Sequence, residues 1–361
     1  PLAAPGVVGQ GLKWLLDPES PFYIKPRLNR DLLRWLWQFW RASTQAHVDR
    51  SMPLLLELHL ASLALYEQLA AELDFGFTQE GLLMLYKTAV GETECVELVE
   101  NAHKIDLAAE LFDAEQARAK LSGLDVQAAG AAYFPRDAHL NPGRLLARLG
   151  EELKQKGVAI FTQTEVLGLA ENGGKIERIS TTNGQFTADE IVLAGGSWSP
   201  ELVRDLGVKL PIQAAKGYSF VAPHLAGKLP MPLLLTDARV AVTPLSEGIR
   251  FAGTLEMTGL DVSVNQRRVD AMRRAVPDYL PEFELREGDV KETAVWAGLR
   301  PCSPDGLPII GRDRHISNLI LATGHAMMGV SLAPITGKVV SEIVAGEASS
   351  IELGGLSPTR F

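Results

Sequence analysis

Arg300 sits in an apolar, turn-rich stretch, Trp296-Ala297-Gly298-Leu299-Arg300-Pro301-Cys302-Ser303-Pro304-Asp305-Gly306-Leu307-Pro308-Ile309-Ile310-Gly311. Burying a guanidinium without a partner is costly. A substrate carboxylate would satisfy it through a two-pronged, charge-assisted contact. A protein carboxylate would satisfy it too, and Asp305 is a candidate. Two other segments have the look of ligand-binding turns. Ile191-Val192-Leu193-Ala194-Gly195-Gly196-Ser197-Trp198-Ser199 is a hydrophobic strand ending in glycines. In open α/β sheets ligands bind outside the carboxyl ends of strands, and glycine lets a flat cofactor come close to the backbone. Leu321-Ala322-Thr323-Gly324-His325-Ala326-Met327-Met328-Gly329-Val330 repeats the pattern, a strand and a Gly-rich turn ahead of a helix. A helix start offers free N–H groups to an anion or to negative charge growing on a ring. Each segment also reads as an ordinary turn, Met327 and Met328 as core residues, and His325 as a structural histidine.

These segments need elements to position them. Asn29-Arg30-Asp31 starts a helix with Leu32, Leu33, Leu36 and Phe39 at helical spacing, and its aromatic neighbours Trp35, Trp37 and Trp40 read as a core face, as does Trp14 upstream. Ser51-Met52-Pro53 opens a long helix with a stripe of Leu54, Leu58, Ala61, Leu65 and Leu69. Gly81 to Tyr86 reads as a buried strand, and Glu92 to Leu121 as surface helices. Asn141-Pro142 begins an amphipathic helix ended by Gly157, and Val158 to Phe161 follows as a short buried strand. A meander over 165–188 turns at Asn183-Gly184. From Leu210 to Val295 the pattern is mostly β, with a hairpin at Ser246-Glu247-Gly248 and a helix over Arg267 to Arg274. Leu319 to Thr323 is a buried strand and Leu332 to Val344 a helix. The order is α/β organisation with a β-rich crossover.

The run from Gly298 to Gly311, followed by Ala322-Thr323-Gly324-His325, resembles the C-terminal signature of the D-amino-acid oxidase-like superfamily, and most of all the bacterial FAD-dependent D-amino-acid dehydrogenases. Tyr133 to Pro142, Lys216-Gly217-Tyr218-Ser219, Val242-Thr243-Pro244 with Arg250 to Glu256, and Leu2 to Gly6 extend the likeness along the chain. The resemblance implies α/β plus α+β architecture. Residues 126–211 and 296–361 would form a Rossmann-like FAD-binding domain, interleaved with a mixed-sheet substrate domain built from 1–125 and 212–295. It also implies that Ala194, Gly195, Gly196, Trp198, Gly298, Gly324, His325, Ala326, Met327, Met328 and Gly329 line FAD. Arg300 would clamp an amino-acid carboxylate, with Tyr218 either a second contact or a core aromatic, and His325 beside the reacting centre. His139 and Asp137 shape a turn or line the site. Hydride passes from Cα to the flavin and a 2-oxo acid results. Glycine or sarcosine and hydroxyproline-type substrates are rivals, and a scaffold that has lost FAD is the reading from another class. A quinone or another electron acceptor is implied, as is a cytoplasmic location with peripheral attachment at the inner membrane. The family opens with a strand, a Gly-x-Gly-x-x-Gly turn, a helix and an acid-ended strand. Gly6-Val7-Val8-Gly9-Gln10-Gly11 has the wrong spacing. The expectation is therefore a start roughly 50 residues late, the length of such an opening, leaving strand edges and an apolar face uncovered.

Composition excludes other classes. The 361 residues are 46% hydrophobic and 22% charged, ample for a two-domain core. A net charge of -9 speaks against nucleic acid as a partner. The two cysteines, Cys95 and Cys302, form neither a disulfide framework nor a metal spacing, which suits a reducing compartment. Pro53 to Leu69, the longest apolar run, is broken by Glu57, His59 and Glu67 and reads as too short to span a bilayer.

Overall fold

The computed structural model describes residues 3–6, 9, 22–25, 27, 29–291 and 294–361. In chain order the elements that matter are β1 (Phe22–Ile24), α1 (Arg30–Ala42), α2 (Gln45–Glu72), β2 (Leu82–Tyr86), α3 (Ala89–Lys104), β3 (Glu110–Asp113), α4 (Ala114–Lys120), β4 (Gly130–Phe134), α5 (Pro142–Gln155), β5 (Val166–Asn172), β6 (Lys175–Thr181), β7 (Gly184–Phe186), β8 (Ile191–Leu193), α6 (Ser199–Leu202), β9 (Gln213–Ala222), β10 (Leu233–Leu235), β11 (Val240–Leu245), β12 (Gly248–Met257), α7 (Gln266–Tyr279), β13 (Trp296–Cys302), β14 (Ile309–Arg312), β15 (Leu319–Thr323) and α8 (Ala333–Ala345).

Three sheets result. The large mixed sheet runs β13-β9-β12-β11-β10-β2-β4-β3, with β1 added to β12. One of its faces buries Leu83, Leu85, Tyr218, Phe220, Val242 and Phe251 under α7, the main core. The second sheet is β14-β15-β8, in which β8 and β15 are parallel and end at the same edge. The third, β5-β6-β7, is the expected meander. Residues 130–134 and 296–302, which the sequence reading assigns to the FAD-binding domain, pair in the large sheet, β4 between β2 and β3 and β13 at the edge beside β9.

Asn318 joins the small sheet to the meander. Its Nδ2 donates to the Ile176 carbonyl and its Oδ1 accepts from the Ile176 N–H, both at 2.9 Å and buried. Asn318→Ala leaves both backbone groups without partners, and unfolding free energy should fall by about 3 kcal/mol. Urea titration reads it.

Several expectations are corrected. The second helix begins at Gln45, capped by Thr44 onto His47 N–H, and runs through Pro53. Among the described residues it is the one helix long and apolar enough to cross a membrane by length and composition. Its Ser62 and Tyr66 hydroxyls donate to the Ser331 and Val330 carbonyls at 2.6 Å, and its Leu55 and Leu58 pack with Ile335 and Val339 of α8, so its inner face is committed to the chain. Val158 to Phe161 forms no strand, and Val158, Ile160 and Phe161 are exposed, since no neighbouring strand pairs with them. The β6–β7 turn is centred on Thr182-Asn183, with Gly184 taking the positive φ at +108°. In α1 Trp35 is buried but Trp37 and Trp40 are exposed: the helical period turns them away from Leu32 and Trp35. Trp14 lies outside the described residues, as do Leu2, Val7, Val8, Gln10 and Gly11.

Candidate active site

The site is built where the small sheet's carboxyl edge meets one end of the large sheet. Strand β8 leads into Gly195-Gly196 and strand β15 into Gly324. Thr323 Oγ1 donates to the Gly196 carbonyl (3.1 Å) and accepts from Ser199 Oγ (3.2 Å), so the two glycine turns are tied together. Gly196 and Gly324 have φ of +55° and +74°, and Ala326 reaches +48°. The second turn is fastened to β13. Ala326 N–H donates to the Pro301 carbonyl at 2.9 Å, and His325 bridges Cys302. From below, Trp35 Nε1 donates to the Cys302 carbonyl at 2.9 Å, and Trp35, Leu32, Ala215, Cys302 and Ala326 form one buried cluster. Arg300 therefore emerges from β13 immediately beside the 324–329 turn.

Side chains alternate across a strand, and the pairing of β13 with β9 sets Trp296, Gly298 and Arg300 opposite Ser219, Gly217 and Ala215. The Arg300 guanidinium lies directly on Gly217, where any Cβ would overlap it. Trp296, 61% exposed, folds its ring over Gly298 in the same way. The face is thus floored by residues without bulk. Arg300 Nη1 donates to the Thr254 carbonyl at 3.0 Å, and among the described residues no carboxylate lies within ion-pair reach of it. Asp305 instead pairs with Arg360 at 2.7 Å. Burial, and secondarily repulsion from Arg250, lowers the Arg300 pKa from its ordinary value. A half-buried cation with no carboxylate partner among the described residues is a candidate ligand position.

Thr254 is itself unusual. It stands at φ +65° in a bulge of β12, where the pairing with β9 shifts between Gly253 and Glu256. A β-branched residue rarely adopts that conformation. Its hydroxyl is buried without a partner while its carbonyl points to Arg300.

The other expected residues divide. Gly195, Gly196, Gly298, Gly324 and Ala326 are brought to one place. Ala194 and Trp198 are exposed just beyond β8. Met327 is 52% exposed, Met328 packs against the cluster under α8, and a Cβ added at Gly329 would stand in ordinary contact with His325 Cβ. His325 Nε2 meets Thr336 Oγ1 at 3.0 Å, and burial brings its pKa down to about 4. The ring is neutral at physiological pH and ties the turn to α8. Tyr218 is on the wrong face. It is 1% exposed, its hydroxyl accepts from Asn265 N–H at 3.1 Å and donates to the Ser263 carbonyl at 3.4 Å, and burial raises its pKa. The period of two places Gly217 and Ser219, not Tyr218, under the ligand face. Tyr218→Phe should cost about 1 kcal/mol of stability and leave carboxylate affinity within twofold by calorimetry; a tenfold loss of affinity contradicts this placement. Asp137 and His139 shape a turn, through Gly81 N–H to the Asp137 carbonyl and paired backbone bonds between Thr78 and His139.

A planar redox cofactor fits between these parts. Glycine turns lie at the carboxyl edge of the small sheet, Gly217 and Gly298 add no side chain on the Arg300 face, and the buried Ser197 hydroxyl has no hydrogen-bond partner among the described residues at the Gly196–Trp198 turn. Residues 33–343 match the family model for the FAD dependent oxidoreductases, and the chain belongs to that family. It is 31% identical to a D-amino acid dehydrogenase of Vibrio atlanticus (strain LGP32), over 100% of this chain and 87% of that protein. It is 30% identical to a D-amino acid dehydrogenase of Granulibacter bethesdensis, over 100% of this chain and 87% of that one. Among solved structures, glycine oxidase from Geobacillus kaustophilus aligns with TM-score 0.76 at 25% identity, over 85% of this chain and 84% of that chain. The FAD-dependent amino-acid oxidoreductase expected from sequence is thereby established as the family.

Sequence reasoning singled out Arg300 and both glycine turns, which the structure places near one another. It did not single out Gly217 and Ser219 beneath the guanidinium groups, Trp296 over Gly298, Thr254 as the Arg300 hydrogen-bond partner, or Arg250. The available signal was alternation: Arg250 stands at a ligand-facing position of the hairpin strand.

Proposed function

We propose that this chain carries the substrate-oxidising site for a D-amino acid, converting it to a 2-oxo acid through an imino acid. The observation that carries the reading is Arg300, half-buried and, among the described residues, without a carboxylate in ion-pair reach, lying on Gly217 beside the 324–329 turn. The names of relatives, D-amino acid dehydrogenases, support the D configuration.

When bound, FAD supplies the hydride acceptor. The protein does the rest. Arg300 fixes the substrate carboxylate, and Thr254 fixes Arg300. Gly217 and Gly298 keep the floor flat, so that Cα can face the ring at reacting distance. Trp296 flanks the opening. The described residues place no charged base here. His325 is neutral and its Nε2 is engaged by Thr336, so the amine must arrive unprotonated, with its nitrogen lone pair available as the Cα–H bond breaks.

The deciding measurement is anaerobic flavin reduction with D-amino acids, their L enantiomers, glycine, sarcosine and hydroxyproline. Bleaching by a D-amino acid over its L enantiomer is the expected result. Preference for glycine or sarcosine shifts the substrate toward that of the structural neighbour, and full-length protein that binds no flavin overturns the enzymatic reading.

A further inference from the structure

A second guanidinium faces the same ground. Arg250 lies on β12, the strand on the other side of β9 from β13, and pairs opposite Val221. Arg300 pairs opposite Ala215. Their backbones are thus far apart along β9, yet their side chains run toward each other. Arg300 ends on Gly217, and Arg250 Nη2 donates to Ser219 Oγ at 3.2 Å. Gly217 and Ser219 are two residues apart on one face, about 6.6 Å at the ordinary strand rise. Ser219 is buried and Arg250 half-buried. Among the described residues, no carboxylate pairs with Arg250 either. The nearby ion pairs are spent on the opposite face, where Lys216, Arg268, Glu256 and Asp261 satisfy one another.

Two like charges brought together under burial repel, and folding alone gives no reason for them to converge. An anion between them removes the repulsion. A carboxylate accepting one contact of about 2.8 Å from each side is wide enough to bridge that gap. We propose that Arg250 is a second carboxylate-binding residue, and that the α-carboxylate of the substrate is held between Arg250 and Arg300 above Gly217 and Ser219. This rests on the reading of Arg300 as the carboxylate clamp. It takes the place that Tyr218 would have filled, from the other strand of the hairpin. Ser219 is its positioning residue, aiming Arg250 inward.

Calorimetric binding of propionate to the full chain tests it, with n-propylamine as the probe lacking a carboxylate. Arg250→Gln should weaken propionate about 10- to 100-fold, the range for a lost charge-assisted contact, and Arg250→Lys should recover part of the loss. The n-propylamine response should match wild type in both. In flavin-loaded enzyme, KM for the oxidised D-amino acid should rise by a similar factor while kcat changes far less. Should Arg250→Gln fail to fold, Arg250→Lys and Ser219→Ala carry the test, each expected to weaken propionate several-fold. Propionate affinity within twofold of wild type in the Arg250 and Ser219 variants, with Arg300→Gln still damaging, overturns the proposal and leaves the Arg300 reading standing. Affinity unmoved in Arg300→Gln as well, or no propionate binding by wild type, removes that reading and this one together.

Discussion

Arg300→Met should lower kcat/KM about a thousandfold. Truncating one partner of a buried, hydrogen-bonded charge pair costs about 2–5 kcal/mol of binding, and a thousandfold corresponds to about 4 kcal/mol. Stability should hold or rise, because the free protein keeps this half-buried cation with the Thr254 carbonyl as its hydrogen-bond partner and, among the described residues, no carboxylate. Arg300→Lys keeps the charge but presents a point rather than a fork, so it should recover only part of the loss. Steady-state kinetics with thermal melts separates the effects. An Arg300→Met enzyme that retains wild-type kcat/KM removes the basis of the proposed function.

Gly217→Ala should produce nearly as large a defect from a single methyl group. The added Cβ would occupy the space of the Arg300 guanidinium. That guanidinium is the far end of a flexible side chain, so it can move aside without breaking the sheet. The midpoint of thermal unfolding should shift by only a few degrees, the scale of about 1 kcal/mol. Carboxylate affinity should fall about a hundredfold, the order expected when a positioning group is displaced by about an ångström. If melting temperature collapses while affinity in the surviving fold is normal, Gly217 serves packing rather than the ligand.

What was legible in the sequence followed from local rules. Asn141-Pro142 set the start of α5 because the Asn141 side chain accepts from Gly143 and Arg144 N–H. The apolar runs before Gly195 and Gly324 became parallel neighbours, β8 and β15, as buried strands ending in glycine do. Arg300 stood out because its segment is apolar and offers Asp305 as its one acid, which the structure pairs with Arg360 instead. What was not legible depended on pairing between distant strands. Tyr218 and Gly217 are adjacent in sequence, and only the register of β9 against β13 decides which of them faces Arg300. The sheet membership of 130–134 and 296–302 was hidden for the same reason, since β4 and β13 pair with strands formed elsewhere in the chain. The long helix was misplaced at its start because the Thr44 side chain caps it upstream, onto His47 N–H, and Pro53 is tolerated inside it.

The left-handed threonine at 254 carries a cost of about 1–3 kcal/mol, as strained residues of this kind do, and its buried hydroxyl adds to it. Glycine would relieve that tension, so a search for heat-resistant variants should be drawn to this position. The same replacement would slacken the brace behind the clamp, letting it wander before an acid arrives. Robustness and grip therefore pull in opposite directions at residue 254, and selection for either one alone would erode the other.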